Sequence, residues 1–134
     1  MDLIEGVIFT PLAKISNPKG DIWHVLKSSE PSFNGFGEAY FSHIKHGVDK
    51  PWRLHKQMTS NLVVSIGEIH FVLEDGREDS PSFKVKNEFT LSEENYGRLT
   101  IPPGIWMKFT GIGATNSLLN LADIPHDPLE SIQR

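Results

Sequence analysis

Residues 61–74 read NLVVSIGEIHFVLE, and two patterns meet at Gly67. After the glycine, Ile69, Phe71 and Leu73 alternate with Glu68, His70 and Glu74, the period-two signature of a strand with one buried face. Before it, Leu62, Val63, Val64 and Ile66 make a short apolar run rich in β-branched residues, which favour the pleated conformation. Together the two runs predict a hairpin turned at Ile66-Gly67, with Asp75-Gly76 closing its far end.

Working outward, further strands are expected over residues 3–9, 21–26, 38–44, 82–89, 98–101, 105–111 and 116–121. The chain carries 11 Gly and 9 Pro, and these breakers recur too often for helices of ordinary length. One helical turn is expected at residues 91–95 (LSEEN), with Ser92 as N-cap and two acids in the first turn. Many short strands separated by turns imply an all-β sandwich, barrel or jelly roll. With 134 residues, 38% of them hydrophobic and with three Trp and eight Phe, residues 1–134 are expected to form one domain with a substantial core.

Composition narrows the function. The absence of cysteine excludes disulfide scaffolds, thiolate metal sites and a cysteine nucleophile. No apolar run approaches the roughly 18–20 residues that span a bilayer, so no membrane partner is expected. The N-terminus lacks a basic segment before its apolar residues, so the expected location is cytoplasmic. A net charge of -4 argues against a nucleic acid partner, whose phosphates need a face of Lys and Arg.

Against that acidic background, Lys45, Lys50, Arg53 and Lys56 fall within twelve positions, accompanied by His46, His55 and a single acid, Asp49. Such a cluster suits an anion, with Arg forking onto phosphate and Trp52 available to stack, although lysines also guard exposed strand edges. Arg53-Leu54-His55, Ser60 and Gly67 keep the spacing of a cupin metal motif, and Pro102-Pro103-Gly104 followed by Met107 keeps that of its second half. Arg53, Ser60 and Met107 occupy three of the four ligand positions, however, and one imidazole does not hold a divalent ion. No metal and no cofactor are therefore expected. Nucleophile elbows and glycine-rich phosphate loops are also absent, which leaves proton transfer as the open chemistry.

Three stretches carry a family resemblance. They are Trp52-Arg53-Leu54-His55 running to Gly67-Glu68-Ile69, Asp75-Gly76-Arg77 with Ser80-Pro81-Ser82-Phe83, and Leu91-Ser92-Glu93-Glu94-Asn95 running to Ile101-Pro102-Pro103-Gly104. Over about residues 40–125 their order and spacing resemble the dTDP-4-dehydrorhamnose 3,5-epimerase family of cupins. The resemblance implies a double-stranded β-helix jelly roll acting on a nucleoside-diphosphate 4-keto-6-deoxy sugar for polysaccharide or glycosylated-metabolite synthesis. It makes His55 the base that removes the proton beside the ketone. Arg53 is shifted by one from the family's Arg, Asn61 stands for its Lys, Leu119 for its acidic Tyr and Met107 for its second His. The Asp that pairs with the family's base lies in a C-terminal stretch without a counterpart before Arg134.

Arg53-Leu54-His55-Lys56 is also similar to the His-Ala-His-Lys segment of sugar 3,4-ketoisomerases. Both chemistries begin with loss of a carbon-bound proton, and Arg53 or Lys56 is then expected to hold the enolate. With the family Tyr replaced, His43 is the expected acid and Tyr40 the substitute on the opposite face of the same strand. Arg53, Lys56, Tyr40, Asn61 and Trp106 are the expected substrate-binding residues. A homodimer is expected, with residues 38–44 lining a partner's site. Leu119 and Met107 also leave open a non-catalytic sugar-nucleotide-binding cupin.

Overall fold

The structure is a computed structural model that describes residues 2–134. Twelve strands follow one another: β1 (Ile8–Pro11), β2 (Lys14–Ile15), β3 (Ile22–Trp23), β4 (Glu38–Lys45), β5 (Asp49–His55), β6 (Ser60–Ile66), β7 (Glu68–Asp75), β8 (Lys86–Ser92), β9 (Gly97–Ile101), β10 (Ile105–Gly111), β11 (Thr115–Ala122) and β12 (Ser131–Gln133). Two five-stranded sheets, ordered β1-β9-β6-β11-β4 and β12-β5-β10-β7-β8, form the jelly roll, and β2 pairs with β3 apart from them. All pairings are antiparallel, and the chain repeatedly crosses from one large sheet to the other.

That crossing corrects the hairpin. β6 lies between β9 and β11, whereas β7 lies between β10 and β8, so the two runs sit in opposite sheets. Gly67, with φ of 84°, is the corner between them, and a Cβ there would come within 2.1 Å of the Thr115 carbonyl oxygen. The Asn116 side chain braces the corner by accepting from the Glu68 and Gly113 N–H groups and donating to the Ile44 and Gly113 carbonyls. The helical turn is corrected too. Leu91 and Ser92 end β8, and Ser92 Oγ accepts from the Asn95 N–H at 3.1 Å in a turn that never becomes helical. Strand positions near 38, 61, 98, 105 and 116 agree with the sequence pattern. The run expected over 82–89 starts at Lys86, because Ser80 and Ser82 serve a polar cluster described below.

Inward-facing residues of both sheets, among them Leu62, Val64, Ile69, Phe71, Leu73, Leu91, Leu99, Ile105 and Leu118, make one core. Complete burial of such a side chain contributes about 1.5–3 kcal/mol. At the edge of that core sits Asp75, fully buried at the end of β7. Its carboxylate accepts from the Arg77 N–H and guanidinium and from the Ser80 and Ser82 hydroxyls. Arg77 and Ser82 in turn hold Glu5, and Asn87 holds Ile4, which ties the N-terminal segment across the strand ends. The Asp-x-Arg-x-x-Ser-Pro-Ser motif is thus a structural knot. Burial alone would raise the Asp75 carboxyl, but the hydrogen bonds from Arg77, Ser80 and Ser82 outweigh it and hold the group well below the usual carboxylate range.

Asp75→Asn turns one acceptor oxygen into a donor facing donors, and should cost about 3 kcal/mol. Thermal unfolding at pH 7 should show a Tm lower by roughly 10 °C. Because the native carboxyl titrates below its unfolded value, its contribution is complete above about pH 4 and drains away as pH falls further. The gap between wild type and variant should therefore narrow in acid; a gap that widens there would contradict this account.

Candidate functional site

A cleft of about 310 Å³ opens between the two large sheets. Strand alternation decides what it contains. From β5, Arg53 and His55 face the cleft while Trp52 and Leu54 lie on the other face of the sheet, where Leu54 is buried; from β4, Tyr40 and Ser42 face the cleft while Phe41 and His43 do not. Lys50 adds a second cation, Glu38 and His126 stand at its border, and Asn120 of β11 enters from beside Tyr40. Leu62, Met107, Phe109 and Leu118 supply its apolar walls.

His55 closes β5, and its backbone is held on two sides. The Gly104 N–H of the Pro102-Pro103-Gly104 turn donates to the His55 carbonyl at 2.7 Å, and β12 pairs Ser131 against His55. The residue just before β12 is Glu130, whose side chain is only 3% exposed. Glu130 Oε1 accepts from His55 Nδ1 at 2.7 Å, and Oε2 accepts from the Gln57 and Met58 N–H groups at 2.9 Å each. Burial by itself would push this carboxyl up, but the hydrogen bonds from Gln57, His55 and Met58 prevail and keep it below the usual range. A carboxylate only accepts, so the ring carries its proton on Nδ1 and leaves the Nε2 lone pair free. An imidazolium formed at Nε2 gains a buried counter-charge. His55 thus has the geometry of a general base.

The C-terminal segment that carries Glu130 is itself clamped. Arg134 donates to both Glu74 carboxylate oxygens, and its guanidinium lies 4.5 Å from the Trp52 ring centre and 4.7 Å from that of Trp106. The expectation that the base lacks a carboxylate partner is therefore corrected: Glu130 takes that position. A lone Glu in a patternless stretch gave no signal before the chain was folded.

The remaining candidates divide. Arg53 lies in the cleft and donates to Ser131 Oγ at 3.0 Å, while Tyr40 lies in it with its phenol oxygen accepting from Asn120 Nδ2 at 2.9 Å. His43 is on the other face of β4, its ring parallel to that of Phe41 at 6.4 Å, in a separate groove with Lys45, Ile66 and Thr115. It does not reach the space that His55 faces. Asn61 is buried on the far face of β6, accepting from Thr100 Oγ1 at 2.5 Å. Trp106 faces outward beneath Arg134. Lys56 is exposed in the turn after β5 and does not line the cleft. Leu119, cross-strand from Phe41 and flanked by the cleft residues Leu118 and Asn120, points away as well.

Among the described residues no three His, Cys, Asp or Glu side chains converge as a metal site. The cupin ligand positions do not fit a divalent ion, since the cationic Arg53 stands beside His55 and Met107 is a soft, weak donor.

Fold and site together define a cupin whose cleft sets a carboxylate-paired histidine beside two cations. The chain belongs to the family described as FdtA: WxcM-like, C-terminal, whose model matches residues 5–134. The family agrees with the resemblance carried by the three sequence motifs. Across 121 residues the chain is 33% identical to the probable low-salt glycan biosynthesis epimerase Agl13 of Haloferax volcanii, spanning 89% of this chain and 78% of that protein. It is 28% identical over 113 residues to the spore coat polysaccharide biosynthesis protein SpsL of Bacillus subtilis, spanning 84% and 75% of the two chains. A crystal structure of a dTDP sugar isomerase from Desulfovibrio desulfuricans G20 superimposes with a TM-score of 0.93 at 36% identity, covering 98% of this chain and 85% of that one.

The hydrogen bond to Glu130 is testable without substrate. Nitrogen-15 NMR of the neutral protein should show His55 protonated at Nδ1, and Glu130→Gln should disturb that tautomer. An Nε2–H tautomer in wild type would show that the lone pair does not face the cleft.

Proposed function

We propose that this protein is an epimerase or isomerase of a nucleoside-diphosphate 4-keto-6-deoxy sugar, working by metal-independent proton transfer. The observation that carries the reading is the His55–Glu130 pair, set in a cleft with Arg53, Lys50 and Tyr40. The relatives' names, a glycan biosynthesis epimerase and a dTDP sugar isomerase, support the substrate class.

In this reading His55 Nε2 removes the proton from the carbon beside the ketone, and the C–H electron pair passes into an enediolate. Arg53 and Lys50, both cationic and both in the cleft, oppose the negative charge of that oxygen and of the diphosphate. Glu130 stabilises the imidazolium while it exists. Proton return to the same carbon from the opposite face inverts it; return to the former carbonyl carbon, with transfer of a hydroxyl proton, moves the ketone instead. Tyr40 reaches the cleft from the opposite sheet and is the proton donor in this scheme, the role for which His43 lies on the wrong face. Tyr40 takes the donor role that Leu119 does not serve, and Glu130 gives His55 a carboxylate partner while Met107 stays a wall of the cleft, so the enzyme is the reading we adopt over a non-catalytic binder.

The chain also acts in this reading as a homodimer. β4 is an edge strand carrying Phe41 at 62% exposure, and that outward face suits a second copy. A light-scattering mass of one 15.1 kDa chain at micromolar concentration would refute it.

Incubation with dTDP-4-keto-6-deoxyglucose in deuterated water should place deuterium on a carbon next to the ketone, in the presence of EDTA as in its absence. His55→Asn should abolish the exchange, and Glu130→Gln should slow it about 10²-fold or more. Absence of label with this and related nucleotide sugars would overturn the assignment.

A further inference from the structure

Asn120 is 95% buried on β11, between Leu62 of β6 and Tyr40 of β4 in the sheet register. Its Nδ2 donates to the Tyr40 phenol oxygen at 2.9 Å. Its Oδ1 is buried without a hydrogen-bond partner although the residue lines the cleft. An orphaned buried carbonyl is costly, and native structures keep few of them.

We propose that Asn120 is the positioning residue for the Tyr40 proton, and that its free carbonyl oxygen accepts a hydroxyl of the bound sugar. This rests on the proton-transfer reading of the cleft. An amide nitrogen has no lone pair to offer, so the phenol cannot donate back to Nδ2. The Tyr40 O–H is thereby turned away from Asn120. In the reaction the O–H bond breaks as the new C–H bond forms from the enediolate electron pair. The phenolate left behind accepts the Asn120 N–H, which stabilises that charge. Tyr40, 43% exposed, then regains a proton from water. The sugar hydroxyl that pairs with Oδ1 fixes the ring relative to the donor and removes the orphan.

The test uses the full-length protein and dTDP-4-keto-6-deoxyglucose in deuterated water, with wild-type exchange and its loss in His55→Asn established first. Failure at that stage condemns the proton-transfer reading itself. Asn120→Asp keeps an acceptor toward the sugar but lets Tyr40 donate to the new carboxylate, drawing its proton out of the cleft. Product formation should fall about 10²-fold through kcat, with KM changed only a few-fold, while His55-dependent deuterium exchange into substrate continues. Tyr40→Phe should give the same split, and adding Asn120→Asp to Tyr40→Phe should cause no further loss. If the Asp variant misfolds, Asn120→Leu, similar in size but without the donor to Tyr40, takes its place, and product formation should again fall through kcat while exchange continues. Equal loss from Asn120→Asp in the wild-type and Tyr40→Phe backgrounds would overturn the proposal. So would parallel loss of exchange and product formation.

Discussion

A carboxylate taken out of water costs several kcal/mol unless donors surround it, and the site depends on how Glu130 meets that demand. Two backbone N–H groups after β5 and one imidazole N–H supply the donors. The same hydrogen bonds do three things: they neutralise a buried charge, close the C-terminal strand against β5, and fix the tautomer of His55. None of these works if the C-terminal segment is displaced. Pairing of β12 with β5 and the seating of Arg134 between two tryptophans are therefore part of the catalytic apparatus in the proposed function, although neither touches the cleft.

The jelly roll makes the cleft's division of labour possible. Because one large sheet supplies β5 and the other supplies β4 and β11, groups from the two sheets face a ligand from opposite sides. In the proposed function this puts the base, His55, on one wall and the proton donor, Tyr40, on the other, as inversion at carbon requires. The apolar walls from Met107, Phe109 and Leu118 lower the local polarity and strengthen the charge interactions of Arg53 and Lys50. Asp75 lies away from this chemistry, yet it shares the physical solution used at Glu130: a buried carboxylate made affordable by convergent donors.

Much of the architecture was legible in alternation and punctuation. Glu68, Ile69, His70 and Phe71 read as a strand and are one; Gly67 reads as a turn and is one. What periodicity could not convey is which strands pair, since a tight glycine turn looks the same whether it closes a hairpin or crosses between sheets. β5 escaped notice because Asp49, Lys50, Pro51 and Arg53 have strand geometry without strand composition. Within the site, His55 and Arg53 stood out through motif spacing and charge clustering, and the structure brings both into the cleft. His43 and Tyr40 were distinguishable only as lying on opposite faces, and the sequence did not say which face was inward. Glu130 and Asn120 emerge only from tertiary contact, across separations of 75 and 80 residues.

The most direct measurement is a crystal structure of the protein with dTDP-6-deoxyglucose, whose C4 hydroxyl replaces the ketone and blocks reaction. The account predicts His55 Nε2 within about 3–3.5 Å of a hydrogen-bearing carbon next to C4, with the Tyr40 hydroxyl on the other face of the ring. A sugar ring bound outside this cleft, or seated in it with His55 and Tyr40 on the same face, would contradict it.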